Sequence, residues 1–257
     1  MLDDTYWVVL TYGRSAMSES PPNLDQLKIF ADGAALAPML ELAKSPRIAG
    51  FTTNPTLMRK AGINDYRAFA RDVLAEIRDK PISFEVFADD WPEMTRQARE
   101  IATWGDNVYV KIPITNTKQE SAVPLVRELT SAGVKLNVTA ICTLDQVRDT
   151  THALRGGAPS VVSVFAGRIA DTGRDPVPLM RTALSICRAA DRRIELLWAS
   201  PRELLNIVQA AEIGCDIITV TNDLLAKLPT LGKDLAQFSL ETVQMFHRDA
   251  EACGFKL

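Results

Sequence analysis

The sequence has only two histidines, His152 and His247, in 257 residues. Both fall in stretches with helical spacing, where a surface or satisfied core role is expected. So few imidazoles weaken any Ser-His-Asp, Cys-His or histidine–metal reading. The four cysteines, Cys142, Cys187, Cys215 and Cys253, never come at CxxC spacing. That suggests neither a zinc site nor a disulfide framework, and predicts small buried apolar residues. GxGxxG and Walker A spacings are missing, so no nucleotide or other cofactor is implied. The net charge of −3 and the lack of a long basic run leave no electrostatic case for nucleic acid. Apolar runs are too short to cross a bilayer, so no membrane partner is expected. The opening MLDDTYWVVLTYG carries two acids and no basic region. It does not read as a secretory signal, and the cytoplasm is the expected location.

What is present is ordinary globular composition, 47% hydrophobic and 24% charged, with length for one large core. Residues 1–26 read as an N-terminal extension that ends in the turn-rich SESPPN. From residue 27 to 257 the chain alternates short β-rich runs with amphipathic helices. The strand candidates are 27–32, 48–54, 82–88, 108–114, 135–141, 160–166, 193–200 and 216–221. Between them, residues 65–79 place Phe69, Val73 and Ile77 at helical spacing behind the capping residue Asp65. A last helix is expected near 239–253. Eight βα units predict a single-domain (β/α)8 barrel with an extra C-terminal helix. A doubly wound open sheet is the alternative, with two edges left to cover.

One strand raises a question. NVYVKIPIT, residues 107–115, alternates Val108, Val110, Ile112 and Ile114 with other residues, and one of those is a lysine. In a barrel the aliphatic set faces the helices, so Tyr109, Lys111 and Pro113 face the interior. The same parity sends Phe30 and Asp32 inward, then Ser83, Glu85 and Phe87, then Asn137 and Thr139, then Ser163 and Phe165. Outward go Ile29 and Ala31; Phe84, Val86 and Ala88; Leu136, Val138 and Ala140; and Val162, Val164 and Ala166. A structural ion pair with Glu85 would account for Lys111 alone. It does not account for polar residues from five strands sharing one interior, where burial costs several kcal/mol.

Desolvation in such an interior favours a neutral amine, which can attack a carbonyl. Lys111 is therefore a candidate Schiff-base nucleophile. Glu85 and Thr139, on the strands either side, are placed to relay a water molecule. Asp32, further round the barrel, could serve a second proton transfer at the hydroxyl where a carbon–carbon bond breaks. Arg168 and Arg202 follow strands six and seven, a sector where barrels bind phosphate.

GFTTNPTLM, SFEVFAD, VYVKIPIT, LNVTAICT and VSVFAGRI, in this order, resemble the transaldolase family, and SLETVQMFHRDA resembles its short subfamily. The resemblance implies a metal-independent class I aldolase barrel acting on sugar phosphates. In it Lys111 matches the Schiff-base lysine, Asp32 the base for bond cleavage, and Glu85 with Thr139 the water-activating pair. Asn54 and Asn137 match the amides that hold dihydroxyacetone hydroxyls. Ser163, Arg168, Ser200 and Arg202 match positions around the phosphate. Fructose-6-phosphate aldolases in the family carry Gln in place of the relay Glu and a Tyr nearby. Here Glu85 and Phe165 stand at those places, which points to the transferase. Pro201 in ASPREL departs from the usual phosphate loop. The resemblance also implies a homo-oligomer.

Overall fold

The computed structural model describes residues 23–254. Most of the expected extension, residues 1–22, lies outside the described residues. The described chain forms two units, residues 23–229 and the stretch from Thr230 onward.

The first unit is a closed barrel of eight parallel strands in chain order, β1 next to β8. Its elements run β1 (Lys28–Asp32), α1 (Leu36–Ala43), β2 (Ile48–Thr52), α2 (Pro55–Lys60), α3 (Tyr66–Glu76) and β3 (Ile82–Glu85). Next come α4 (Trp91–Ala102), β4 (Val108–Pro113), α5 (Val123–Ser131), β5 (Leu136–Ile141), α6 (Leu144–Leu154) and β6 (Ser160–Val164). The unit continues through α7 (Ala166–Ala170), α8 (Val177–Ala190), β7 (Ile194–Trp198), α9 (Leu205–Glu212), β8 (Ile217–Thr221) and α10 (Asn222–Leu225). Closure excludes the open-sheet alternative. Each predicted strand is present and one to three residues shorter than its apolar run, trimmed at the start in β1, β5 and β8, at the mouth in β2, β3, β4 and β6, and at both ends in β7.

Two apolar layers follow from strand parity. Val108, Val110, Ile112 and Ile114 pack outward among the helices, with Ile29, Ala31, Phe84, Val162 and Val164. A smaller cluster fills the interior: Phe30, Val161, Leu197, Ala199 and Ile217, with Ala49, Tyr109 and Phe165 against it. Gly50 makes room for this plug, since a Cβ there would meet the Phe30 ring at 2.6 Å. Helix α3 buries Phe69 and Val73, and its C-cap Ile77 is buried too, with the Asp65 side chain accepting from Ala68 N at 2.9 Å. It ends at Glu76, three residues short of the predicted 79.

Two parity assignments fail, one past the end of a strand and one at a bulge. β3 stops at Glu85, so Phe87 does not reach the interior. It is 50% exposed and lies against Tyr66, ring centroids 4.5 Å apart. On β5 a register shift falls between Val138 and Ile141. Ala140 takes φ +62 there and turns to the cavity, while Ile141 takes the outward place. A bulge adds one residue and inverts the alternation beyond it. The cysteines divide: Cys187 and Cys215 are buried as expected, Cys142 is half-buried and Cys253 is exposed. Burial pushes the Cys187 and Cys215 thiols up to about 12. His152 is exposed on α6.

The second unit contains α11 (Leu235–Cys253), which begins four residues before the predicted 239. The Asp234 side chain caps it by accepting from Gln237 N at 2.8 Å, and Gly254 ends it at φ +64. Leu240, Val243, Met245 and Phe246 on this helix are exposed. No helix among the described residues is long and apolar enough to cross a membrane.

Candidate active site

The strand ends surround a cavity of about 400 Å³, and most of the residues that strand parity singled out line it. Lys111 stands on β4, in register with Glu85 on β3 and Asn137 on β5. It is 6% exposed. Its ammonium lies 3.3 Å from Glu85 Oε2 and donates to the carbonyl of Thr53 at 3.1 Å. Such partners offset part of what burying a cation costs.

Asp32, at the end of β1, takes hydrogen bonds on one oxygen. Thr52 Oγ1 donates to Oδ1 at 2.8 Å, and Asn54 Nδ2 reaches the same atom at 3.5 Å. Thr219 Oγ1 lies against Thr52 Oγ1. Thr52 has one hydroxyl proton and gives it to Asp32, so Thr219 must be the donor in that second contact. Burial pushes the Asp32 carboxyl above the usual range, opposed by the charge of Lys111 and by the Thr52 and Asn54 bonds. Asn54 is also the N-cap of α2, its Oδ1 accepting from Leu57 N at 3.0 Å ahead of Pro55.

On the other side of Lys111, Asn137 Nδ2 donates to Ser83 Oγ at 3.0 Å. Asn137 Oδ1 and Thr139 Oγ1 are buried with no hydrogen-bond partner among the described residues. Buried polar atoms are seldom left so, and Thr139 Oγ1, on the cavity wall, is placed to bond a bound molecule. Thr139 and Ser163 line the cavity; Asn137 sits fully buried behind them.

Beyond β6 and β7 the lining changes. Phe165 supports Arg168, whose guanidinium carbon lies 5.8 Å from the ring centroid. Arg202 Nε donates to Asp171 Oδ1 at 2.9 Å, and Nη2 donates to Oδ2 of the same carboxylate. Those bonds hold the Asp171 carboxyl below the usual carboxylate range. Helix α7 and the loop after β7 interlock: a Cβ on Gly167 would fall 1.5 Å from the carbonyl oxygen of Ser200, itself at φ +61. Ala140 and Ser200 are non-glycine residues at positive φ, and both line the cavity. Such strain concentrates at functional sites.

The structure thus places Asp32, Asn54, Glu85, Lys111, Thr139, Ser163, Phe165, Arg168, Ser200 and Arg202 around one space, with Asn137 directly behind. Sequence reasoning passed over Thr52, Thr53 and Thr219. Parity applied to the second and eighth strands would have turned Thr52 and Thr219 inward. No local pattern marks the Thr53 carbonyl.

A protein of Dehalococcoides mccartyi named "Probable transaldolase" is 34% identical over 215 residues, 82% of this chain and 96% of the relative. A "Probable transaldolase" of Clostridium acetobutylicum is 37% identical over 202 residues, 79% of this chain and 89% of the relative. Among solved structures, 3-hexulose-6-phosphate synthase from Salmonella typhimurium superposes with a TM-score of 0.55 at 16% identity. It covers 84% of this chain and 99% of that one, a likeness of fold alone. The family described as Transaldolase/Fructose-6-phosphate aldolase matches residues 29–257, and the chain belongs to that family.

Proposed function

We propose that the protein is a transaldolase, moving a dihydroxyacetone unit from a ketose phosphate such as fructose 6-phosphate to an aldose phosphate such as erythrose 4-phosphate. The observation that carries this reading is the buried Lys111 amine, 3.3 Å from Glu85, in a cavity with two arginines at its far side. In this reading Glu85 takes the proton that Lys111 must lose, and the free amine adds to the ketose carbonyl carbon. Glu85, with Thr139, then returns a proton to the carbinolamine hydroxyl, which leaves as water. Asp32 removes the proton of the C4 hydroxyl. The C3–C4 bond breaks, the aldose departs, and the electron pair is held as an enamine on Lys111. Attack of that enamine on the acceptor aldehyde reverses the sequence. Asn54 and the unpartnered Oδ1 of Asn137 suit the hydroxyls of the three-carbon unit. Ser163, Ser200, Arg168 and Arg202 suit the phosphate, arginine forks being matched to its oxygens.

A net aldolase is the second reading, since the family name includes both activities. Glu85 and Phe165 favour the transferase. The test is borohydride reduction in the presence of fructose 6-phosphate, followed by peptide mass analysis. A reduced three-carbon adduct on Lys111 is expected. Its absence on folded protein would sink the proposal. Turnover that needs no aldehyde acceptor would move the reading to the aldolase.

A further inference from the structure

Glu85 is the last residue of β3, and it can meet Lys111 only if that strand end is held in place. Towards β2 the ladder is regular: Phe51 N donates to Pro81 O at 2.8 Å, and Thr53 N to Ser83 O at 3.1 Å. The next rung would bring the N–H of residue 55 to the carbonyl of Glu85. Residue 55 is proline and has no N–H. The Glu85 carbonyl accepts instead from the hydroxyl of Tyr66, at 3.0 Å. The N–H of the same peptide unit, that of Val86, donates to Lys111 O at 3.1 Å. The peptide that follows Glu85 is therefore gripped from both sides, by the first residue of α3 and by the lysine strand. The Tyr66 ring is itself held, with its centroid 6.0 Å from Phe84, 4.5 Å from Phe87 and 5.4 Å from Trp104.

We propose that Tyr66 is a positioning residue for the Lys111–Glu85 pair: its hydroxyl supplies the rung that Pro55 cannot and fixes the carboxylate against the amine. The proposal rests on the Schiff-base reading above. It acts through Glu85, since the Tyr66 hydroxyl bonds the Glu85 carbonyl, with the Thr53 side chain beside it, and does not line the cavity.

Tyr66→Phe keeps the ring and removes only the hydroxyl. The expected result is a kcat lowered roughly five- to tenfold with KM for fructose 6-phosphate unchanged. In a double-mutant cycle, Tyr66→Phe added to Glu85→Gln should cost nothing further, because both act on one group. Losses that multiply, or a wild-type kcat in Tyr66→Phe, would overturn the proposal. A second readout needs no sugar phosphate: the rate at which glycolaldehyde with borohydride labels Lys111, measured at low temperature where both proteins are folded. Labelling should slow by a similar factor in Tyr66→Phe, and equal rates would overturn the proposal. Slower labelling without turnover of fructose 6-phosphate would refute the donor and leave the positioning role standing. No labelling of Lys111 in the wild-type protein would refute both.

Discussion

Lys111, Glu85 and Asp32 stand on strands, buried or half-buried and bonded into the barrel wall. Arg168 and Arg202 stand on the connections after β6 and β7, and both are exposed. The strand-borne groups cannot turn away, because each backbone lies in the ladder and each charge has a partner within the wall. The arginines hold their places through side-chain props, Phe165 under one and Asp171 beside the other. In the proposed reaction this division has a purpose. The reacting carbon needs groups fixed to fractions of an ångström, while a phosphate needs matched charge that can admit and release it.

Lys111→Met tests the fixed half most severely. Turnover should fall at least about 10,000-fold, with no borohydride adduct, while binding of fructose 6-phosphate by calorimetry changes little. Binding lost together with turnover would mean that Lys111 serves affinity. Gly167→Ala attacks the contact between α7 and the loop after β7. Its Cβ would overlap a backbone oxygen, so destabilisation on the order of 3 kcal/mol is expected in urea unfolding. A variant as stable as the parent would refute that close approach. Arg202→Ala tests the exposed half. It should raise KM for a phosphorylated donor about 10- to 100-fold, the scale of one lost charge-assisted pair. Its effect on an unphosphorylated ketose should be nil, and an equal effect on both would remove Arg202 from the phosphate.

The smallest effect concerns Asp32. Burial raises its folded pKa above that of an unfolded aspartate. The folded state then holds the proton more tightly, and this contribution to stability is lost as pH rises through the folded value. Asp32→Asn avoids that loss, so at neutral pH it should melt above the wild-type protein. The gap should close as pH falls toward 3.8, the ordinary aspartate value. A gap independent of pH would deny the charge burial.

The sequence alone determined the barrel and the inward set on its strands. The aliphatic alternation of Val108, Val110, Ile112 and Ile114 requires one packed face, and Lys111 then has only the other. Period-two geometry carries that inference from strand to strand wherever the ladder is regular. It stops where the ladder stops, and there tertiary structure decided. Phe87 left the interior because β3 ends at Glu85, and Ala140 entered the cavity because a bulge shifted the register. The Arg202–Asp171 fork joins residues 31 apart on two loops. The Tyr66–Glu85 bond takes a donor from a neighbouring helix to replace one that a proline lacks. Neither contact has a local sequence pattern, because each depends on where closure of the whole barrel brings two segments together.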